Sequence, residues 1–347
     1  MITSELGGVN LRIPFEEVKA TLKDILIARH NTPEPHAEEV ASVLTQNSLD
    51  GVYTHGINRF MALIHSIELG SVLPNETACR VSGLGGYEIW DGRAGFGIVN
   101  ARTCTQRAIE LAKTHGIACV SIRNTNHWLR GGTYGILVAE AGMLGILFTN
   151  AKANMCAWGT MEPCVGNNPL VLAVPRSNGE HVIADTSFSQ YSYGKLQLAK
   201  LEGRMMPDPA GYNEEGKLSC DPSEVLRTQR LIPMGKWKGS AIAMLLDLIT
   251  SVSSFGNSSA AIAALKDGDE RACCQTFIVI NPFALGDRQQ ADAIIDQALD
   301  LVLNATPAPG ETVRYPGQNM LRIRKENTEL GIPVNEKVWN KILSLRS

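Results

Sequence analysis

Four stretches of this 347-residue chain carry side chains whose types and spacing could do chemistry. The first is Val52-Tyr53-Thr54-His55-Gly56-Ile57-Asn58-Arg59-Phe60, with an imidazole and a guanidinium four residues apart and a hydroxyl before the histidine. Histidine donates or accepts a proton near neutral pH, and arginine clamps a carboxylate through two parallel hydrogen bonds. Gly56 lets the backbone turn sharply or come close to a ligand. Together they form a minimal set for proton chemistry on a carboxylate-bearing substrate. The same spacing also describes an ordinary i,i+4 pair on a helix surface.

The second stretch, Arg123 to Gly135, holds Asn124, Asn126, His127, Trp128 and two arginines beside Gly131-Gly132. It follows an apolar run at Ile117 to Ile122 and precedes a helical pattern, and strand ends of this kind collect functional groups in open α/β sheets. The bland alternative is a polar turn with one satisfied histidine. The third is Asn167-Asn168-Pro169 followed by His181-Val182-Ile183-Ala184-Asp185-Thr186-Ser187. A strand ending in Asp-Thr-Ser offers a carboxylate and two hydroxyls to a ribose or phosphate, or simply caps a helix. The fourth, Pro233-Met234-Gly235-Lys236-Trp237-Lys238-Gly239, puts an indole and two ammonium groups at a helix start, where phosphates are favoured.

Other chemistries lack their residues. No G-x-G-x-x-G supports a Rossmann site, and neither H-E-x-x-H nor G-x-S-x-G occurs. Gly211 to Lys217 imitates a P-loop, but Leu218 stands where a hydroxyl should hold magnesium, and Glu214-Glu215 would repel phosphate. His55 and His127 have no cysteine or carboxylate spacing around them that would complete a metal cage, so no metal is expected. The eight cysteines include no CxxC pair and read as reduced and structural. A net charge of −3, without a basic run, argues against nucleic acid or an anionic membrane as partner. The most apolar segment, Ala241 to Ile249, is too short to span a bilayer and contains Asp247. The first twenty residues lack the apolar core of a signal peptide, so the cytoplasm is expected.

The elements that must position these groups fall into two kinds. Pro14 opens a helix with Phe15, Val18, Leu22, Ile25 and Leu26 in helical period. Thr32-Pro33 is expected to cap a second helix and Phe60 to Ile67 to form a third, ending at Gly70. From Gly83-Leu84-Gly85-Gly86 onward, helices alternate with β-branched runs. Asn100 is expected to cap a helix that ends near His115-Gly116. Strands are expected at Ile117 to Ile122, Gly145 to Thr149, Leu170 to Val174, His181 to Ala184 and Thr276 to Ile280. A strongly apolar helix carries Ala241, Met244, Leu245, Leu248, Ile249 and Val252 on one side, and Ile294, Ile295 and Ala298 mark another. Pro207 to Pro222 reads as a surface excursion, and Val338, Trp339, Ile342 and Leu343 return to helical period.

Tyr53 to Arg59, then Asn126-His127-Trp128 with Arg130-Gly131-Gly132, then Pro233-Met234-Gly235 through Trp237-Lys238-Gly239 resemble, in this order, the malate/L-lactate dehydrogenase family of non-Rossmann oxidoreductases. The resemblance runs from about Pro14 to Leu345, nearest to a branch acting on 2-oxo sugar acids. It implies an NAD(H)-dependent reductase of 2-oxo acids, with NADP(H) as alternative coenzyme, working as a cytoplasmic homodimer. It implies a mixed α/β fold, with a helical domain from both chain ends (1–83 and 309–347) and a central non-Rossmann α/β cofactor-binding domain (84–308) holding a mixed sheet.

By the same resemblance His55 is the proton donor, Arg59 contacts substrate and His127 lies in the same site. The strand His181 to Ser187, the pair Trp237-Lys238 and the turn Gly317-Gln318-Asn319 contact cofactor. Ala151, with Lys152 one place later, stands where some relatives carry a lysine, and Gln318-Asn319 replace an expected His-Glu pair. Chemically, a cationic imidazole at His55 would stabilise the growing oxyanion and protonate it, with His127 as polariser or orienter. Arg59 would hold the carboxylate, and Thr54 and Asn126 would hydrogen-bond substrate oxygens. Alternatives are a malate, lactate, ureidoglycolate or cyclic-imine enzyme of the same family, or a non-catalytic sensor of a sugar acid or nucleotide.

Overall fold

The computed structural model describes residues 10–265 and 271–346. Two antiparallel helices, Phe15–His30 and Glu34–Leu49, start the fold. The first begins after Pro14, carries Glu16 and Glu17 in its opening turn, and stops where Asn31 enters the left-handed region at φ 48°. The second is entered through Pro33 rather than Thr32, whose buried hydroxyl has no partner among the described residues. Helix Phe60–Glu68 packs on this pair. Strand Asn10–Ile13 pairs antiparallel with Ile332–Asn335, and Trp339 and Ile342 of helix Glu336–Leu343 complete the same core with Leu22, Leu26 and Phe60. The two chain ends thus build one helical unit.

The middle of the chain forms a seven-stranded mixed sheet in the order Cys79–Leu84, Tyr87–Asp91, Ile117–Thr125, Cys273–Ile280, Leu144–Thr149, Leu170–Val174, Val182–Thr186. Only Tyr87–Asp91 and Ile117–Thr125 run parallel, joined through helix Gly97–His115; every other pairing is antiparallel. This is the mixed sheet without Rossmann topology that the sequence led us to expect. Strand Cys79–Leu84 belongs to it, so the α/β region begins a few residues before Gly83. The helix expected to start at Asn100 starts at Gly97. Asn100 is its fully buried fourth residue, donating to Gly92 O and Thr125 Oγ1 instead of capping.

Helices Gly97–His115 and Gly131–Glu140 cover one sheet face through Cys104, Ala108, Val120, Tyr134, Val138 and Phe277. Helix Trp237–Ser254 lies over the other face. It buries its small and polar side (Gly239, Ser240, Ala243, Asp247, Ser251 and Ser254) and leaves Ile242, Leu245, Ile249 and Val252 exposed, Val252 at 67%. The apolar stripe read from sequence therefore points outward. Asp247 is tied inward by Asn150 and by the backbone N–H of Ser259. All eight cysteines are free thiols; Cys79 and Cys164 are exposed, so the purely structural reading does not extend to those two.

Candidate active site

The His55 motif sits on the C-terminal end of helix Glu34–Leu49, where the chain makes two short 3-10 turns, Tyr53–His55 and Ile57–Arg59. Two polar residues of that helix, and Asp50 just past its end, hold it. Asn47 donates to His55 O at 2.9 Å, Ser48 Oγ accepts from Ile57 N at 2.9 Å, and Asp50 anchors the next layer. A Cβ on Gly56 would lie 2.0 Å from Ser48 Oγ, so only glycine lets the loop seat this closely. Asn47 also accepts from Thr133 Oγ1 at 2.8 Å, tying the motif to the helix that follows the second motif.

The second motif arrives from the end of strand Ile117–Thr125. Asn126 was expected to contact substrate, but its amide donates to three backbone carbonyls, of Ser71, Ala94 and Gly95. It is 5% exposed and pins the loop, a structural role. Trp128 is buried between Tyr134 and Phe277. This brings His127 against His55: the two rings are nearly parallel (17°) with centroids 5.9 Å apart. The Thr54 hydroxyl lies 3.0 Å from His55 Nδ1. Leu129 N donates to His127 Nδ1 at 2.9 Å. Neither Nε2 has a hydrogen-bond partner among the described residues.

Electrostatics decide the resting state of the pair. Burial, then the charges of His127, Arg59 and Arg130, lower the pKa of His55 to about 3. Burial, then Arg59, lowers that of His127 to about 3. Both rings therefore favour the neutral form at pH 7 in the free protein. Arg59 is half-buried beside them, and among the described residues its guanidinium has neither an ion pair nor a hydrogen bond. Arg130 differs. Its Nη1 lies 2.6 Å from Asp50 Oδ2, and Arg324 grips the same carboxylate at 2.7 and 3.0 Å. Burial pushes the Asp50 carboxyl up, but the two guanidiniums outweigh it and hold it below the usual range. Sequence reasoning missed Asp50. Its signal was an acid just past a helix C-terminus, where the helix dipole opposes it unless specific cations are at hand.

The stretches expected to bind cofactor are brought together. Ile183 N donates to Pro316 O at 3.0 Å, and a Cβ on Gly317 (φ 97°) would lie 3.2 Å from His181 O, so the C-terminal turn rests on strand Val182–Thr186. Beyond that strand, Met234 N donates to Phe188 O and Gln190 N to Ile232 O, and Lys236, Trp237 and Lys238, all exposed, follow this join. Asp185, next to last in the strand, is exposed. It accepts from Gly132 N at 2.7 Å, and its densely packed surroundings push its carboxyl up. Met320 accepts from Arg130 Nη2, linking this region to the second motif. Within the group, Ile183 is a core residue and His181 Nδ1 accepts from Arg176 N. Thr186 Oγ1 donates to Ser187 O, Ser187 Oγ lies 3.3 Å from Ser189 Oγ, Gln318 accepts from Tyr315 N, and Asn319 accepts from Arg322. Gly194, not singled out from sequence, carries its Cα against Thr54; a Cβ there would lie 2.7 Å from Thr54 Cγ2.

Residues 13–343 match the family model described as malate/L-lactate dehydrogenase. The chain is 41% identical over 336 residues (96% of this chain, 100% of the relative) to 2,3-diketo-L-gulonate reductase of Haemophilus influenzae. It is 38% identical, with the same coverage, to the 2,3-diketo-L-gulonate reductase of Escherichia coli O127:H6. Among solved structures, malate dehydrogenase from Entamoeba histolytica superposes with a TM-score of 0.92 at 25% identity, covering 97% of each chain.

Proposed function

Because this chain belongs to the malate/L-lactate dehydrogenase family, we propose that it reduces the 2-oxo group of a sugar acid, 2,3-diketo-L-gulonate, with NADH. The observation that carries the reading is Arg59: a guanidinium with no carboxylate of its own beside two neutral imidazoles. That arrangement suits an incoming carboxylate, with the neighbouring carbonyl in reach of proton donors. Relatives named for 2,3-diketo-L-gulonate support the choice of acid.

A nicotinamide dinucleotide fits the residues present. The exposed Asp185 carboxylate, held by the Gly132 N–H, suits ribose hydroxyls, and Lys236, Trp237 and Lys238 at the start of an 18-residue helix suit phosphates and a ring. When bound, the reduced nicotinamide supplies hydride. The chain's own residues do the rest. Arg59 fixes the carboxylate, and His55 and His127 face the carbonyl oxygen through Nε2. His55 delivers the proton as charge grows on that oxygen. Thr54 orients His55, and Asp50 keeps Arg130 from competing for the substrate.

We further propose a cytoplasmic homodimer. Ile242, Leu245, Ile249 and Val252 form a helical stripe of exposed apolar residues of the kind that marks an interface, and eight free thiols suit a reducing compartment. The test of the reading is loss of reduced-coenzyme absorbance with NADH or NADPH and a panel of 2-oxo acids. Turnover of 2,3-diketo-L-gulonate with NADH above malate- and lactate-derived oxo acids is expected. A preference for another oxo acid removes the substrate assignment, and coenzyme oxidation with none removes the reaction.

A further inference from the structure

The two histidines are nearly parallel neighbours, yet their Nδ1 atoms meet opposite kinds of partner. His127 Nδ1 faces the backbone N–H of Leu129 at 2.9 Å. A backbone N–H can only donate, so His127 Nδ1 must be the acceptor and the ring proton must sit on Nε2. A second proton at Nδ1 would point at the Leu129 N–H. Rotating that N–H away would require the loop to give, and it is over-determined. Leu129 already occupies the left-handed region at φ 66°, unusual for a bulky residue. Its side chain is buried in the helical core, Trp128 O accepts from Tyr134 OH at 2.8 Å, Asn126 is pinned to three carbonyls, and Arg130 is locked to Asp50.

His55 Nδ1 faces the Thr54 hydroxyl at 3.0 Å instead. A hydroxyl rotates to donate or accept, so it serves either neutral tautomer and the imidazolium alike. The groups acting on this ring are His127, Arg59 and Arg130; Arg130 is compensated by Asp50, and Asp185 is turned to the Gly132 N–H.

We propose that the pair has fixed and unequal roles: His127 is a permanently neutral Nε2–H donor that orients the substrate carbonyl, and His55 alone changes protonation. The assignment of what they act on rests on the 2-oxo acid reading. In that reaction the carbonyl carbon would gain the hydride that reduced nicotinamide gives up on becoming oxidised, and the C=O π pair would move to oxygen. The Nε2–H bond of His55 breaks to protonate that oxygen, and the neutral ring regains a proton from water. The substrate carboxylate, arriving beside Arg59, supplies the negative charge that lets His55 hold a proton at the outset. A neutral His127 spares the pair from carrying two positive charges side by side.

The test is a long-range 1H–15N spectrum of the histidine-labelled protein between pH 5 and 8, without and with oxamate, an unreactive 2-oxo acid analogue. His55→Gln and His127→Gln identify the signals. His127 is expected to keep a protonated Nε2 and a bare Nδ1 at every pH, with or without oxamate, while oxamate moves the titration of His55 upward. A His127 signal that titrates, or that shows the proton on Nδ1, overturns the inference and leaves the reductase reading standing. A fixed His127 with an oxamate-indifferent His55 upholds the tautomer assignment and counts against the 2-oxo acid reading. In kinetics, His127→Gln exchanges one non-titrating donor for another, so turnover should fall by less than in His55→Gln and the pH profile should stay in place. A loss as deep as that of His55→Gln, or a displaced pH profile, would contradict the division of roles.

Discussion

An arginine with no anion paired to it among the described residues, next to imidazoles that burial keeps neutral, is a site prepared for a charged ligand. Arg59→Lys keeps the charge but loses the two-pronged clamp. It should raise KM for the acid about 10- to 100-fold, the equivalent of a charge-assisted hydrogen bond of about 1.5–3 kcal/mol, with little change in kcat. An unmoved KM would place the carboxylate elsewhere. The same burial has a consequence for stability. In the unfolded chain each ring takes up a proton near its ordinary value of 6.5, whereas in the native protein it does so only near 3. Between those values the unfolded state binds more protons. Stability is therefore complete above about pH 6.5 and declines as the pH falls toward 3, by up to about 1.4 kcal/mol per pH unit for each ring. Urea unfolding of the His55→Gln/His127→Gln double variant should show a flatter acid limb; limbs of equal slope would contradict the burial argument. At this scale His55, Arg59 and His127 were legible because imidazole and guanidinium groups announce few uses. Asn126 was not, because an amide serves backbone carbonyls as readily as a ligand, and only the fold decides which is close.

The elements holding these residues meet at Asp50. Asp50→Asn would leave Arg130 and Arg324 with an uncharged partner in a buried setting. It should cost about 3–5 kcal/mol in unfolding free energy, as for other buried pairs broken on one side. A loss under about 1 kcal/mol would mean that water reaches the guanidiniums, at odds with a carboxylate 1% exposed. Gly97 is the second joint. A Cβ there would lie 2.1 Å from Asn126 O and 2.4 Å from His127 O, so Gly97→Ala must push the His127 loop off the helix start. Activity should fall more than stability, read by turnover against thermal midpoint; a variant as active as wild type would show the loop to be compliant. Most helices and the β-branched strands could be read from periodicity, which is local. The pairing of Asn10–Ile13 with Ile332–Asn335 could not, since its partners lie at opposite ends of the chain. Asn100 misled for a related reason. Its amide was free, as far as local sequence tells, to cap a helix, yet it bonds Thr125 on the adjacent strand.

For the molecule as a whole, helix Trp237–Ser254 is the informative element. Sequence places its apolar residues on one side of the helix, because apolar spacing says which residues share a face and not what covers that face. In the fold, small and polar residues meet the sheet, while Ile249 and Val252 stand half or more exposed. On the homodimer reading a second copy covers them. Ile249→Asp should then convert a dimer to a monomer in sedimentation velocity with the fold retained by circular dichroism. A wild-type monomer, or a variant that still dimerises, would contradict that surface assignment. The mixed sheet, the helical unit from both ends and the family were all legible in the sequence, through motifs matched in order along the chain. The outward turn of this helix was not.

The account stands most directly on His55, and a paired measurement on His55→Gln tests it: steady-state oxidation of NADH with the oxo acid, and NADH affinity by fluorescence titration. The account predicts a loss in kcat of about 10²–10⁴-fold, the usual contribution of a positioned proton donor, with NADH affinity within about threefold of wild type. Turnover within about threefold of wild type, with NADH still bound, would show that the proton comes from another group.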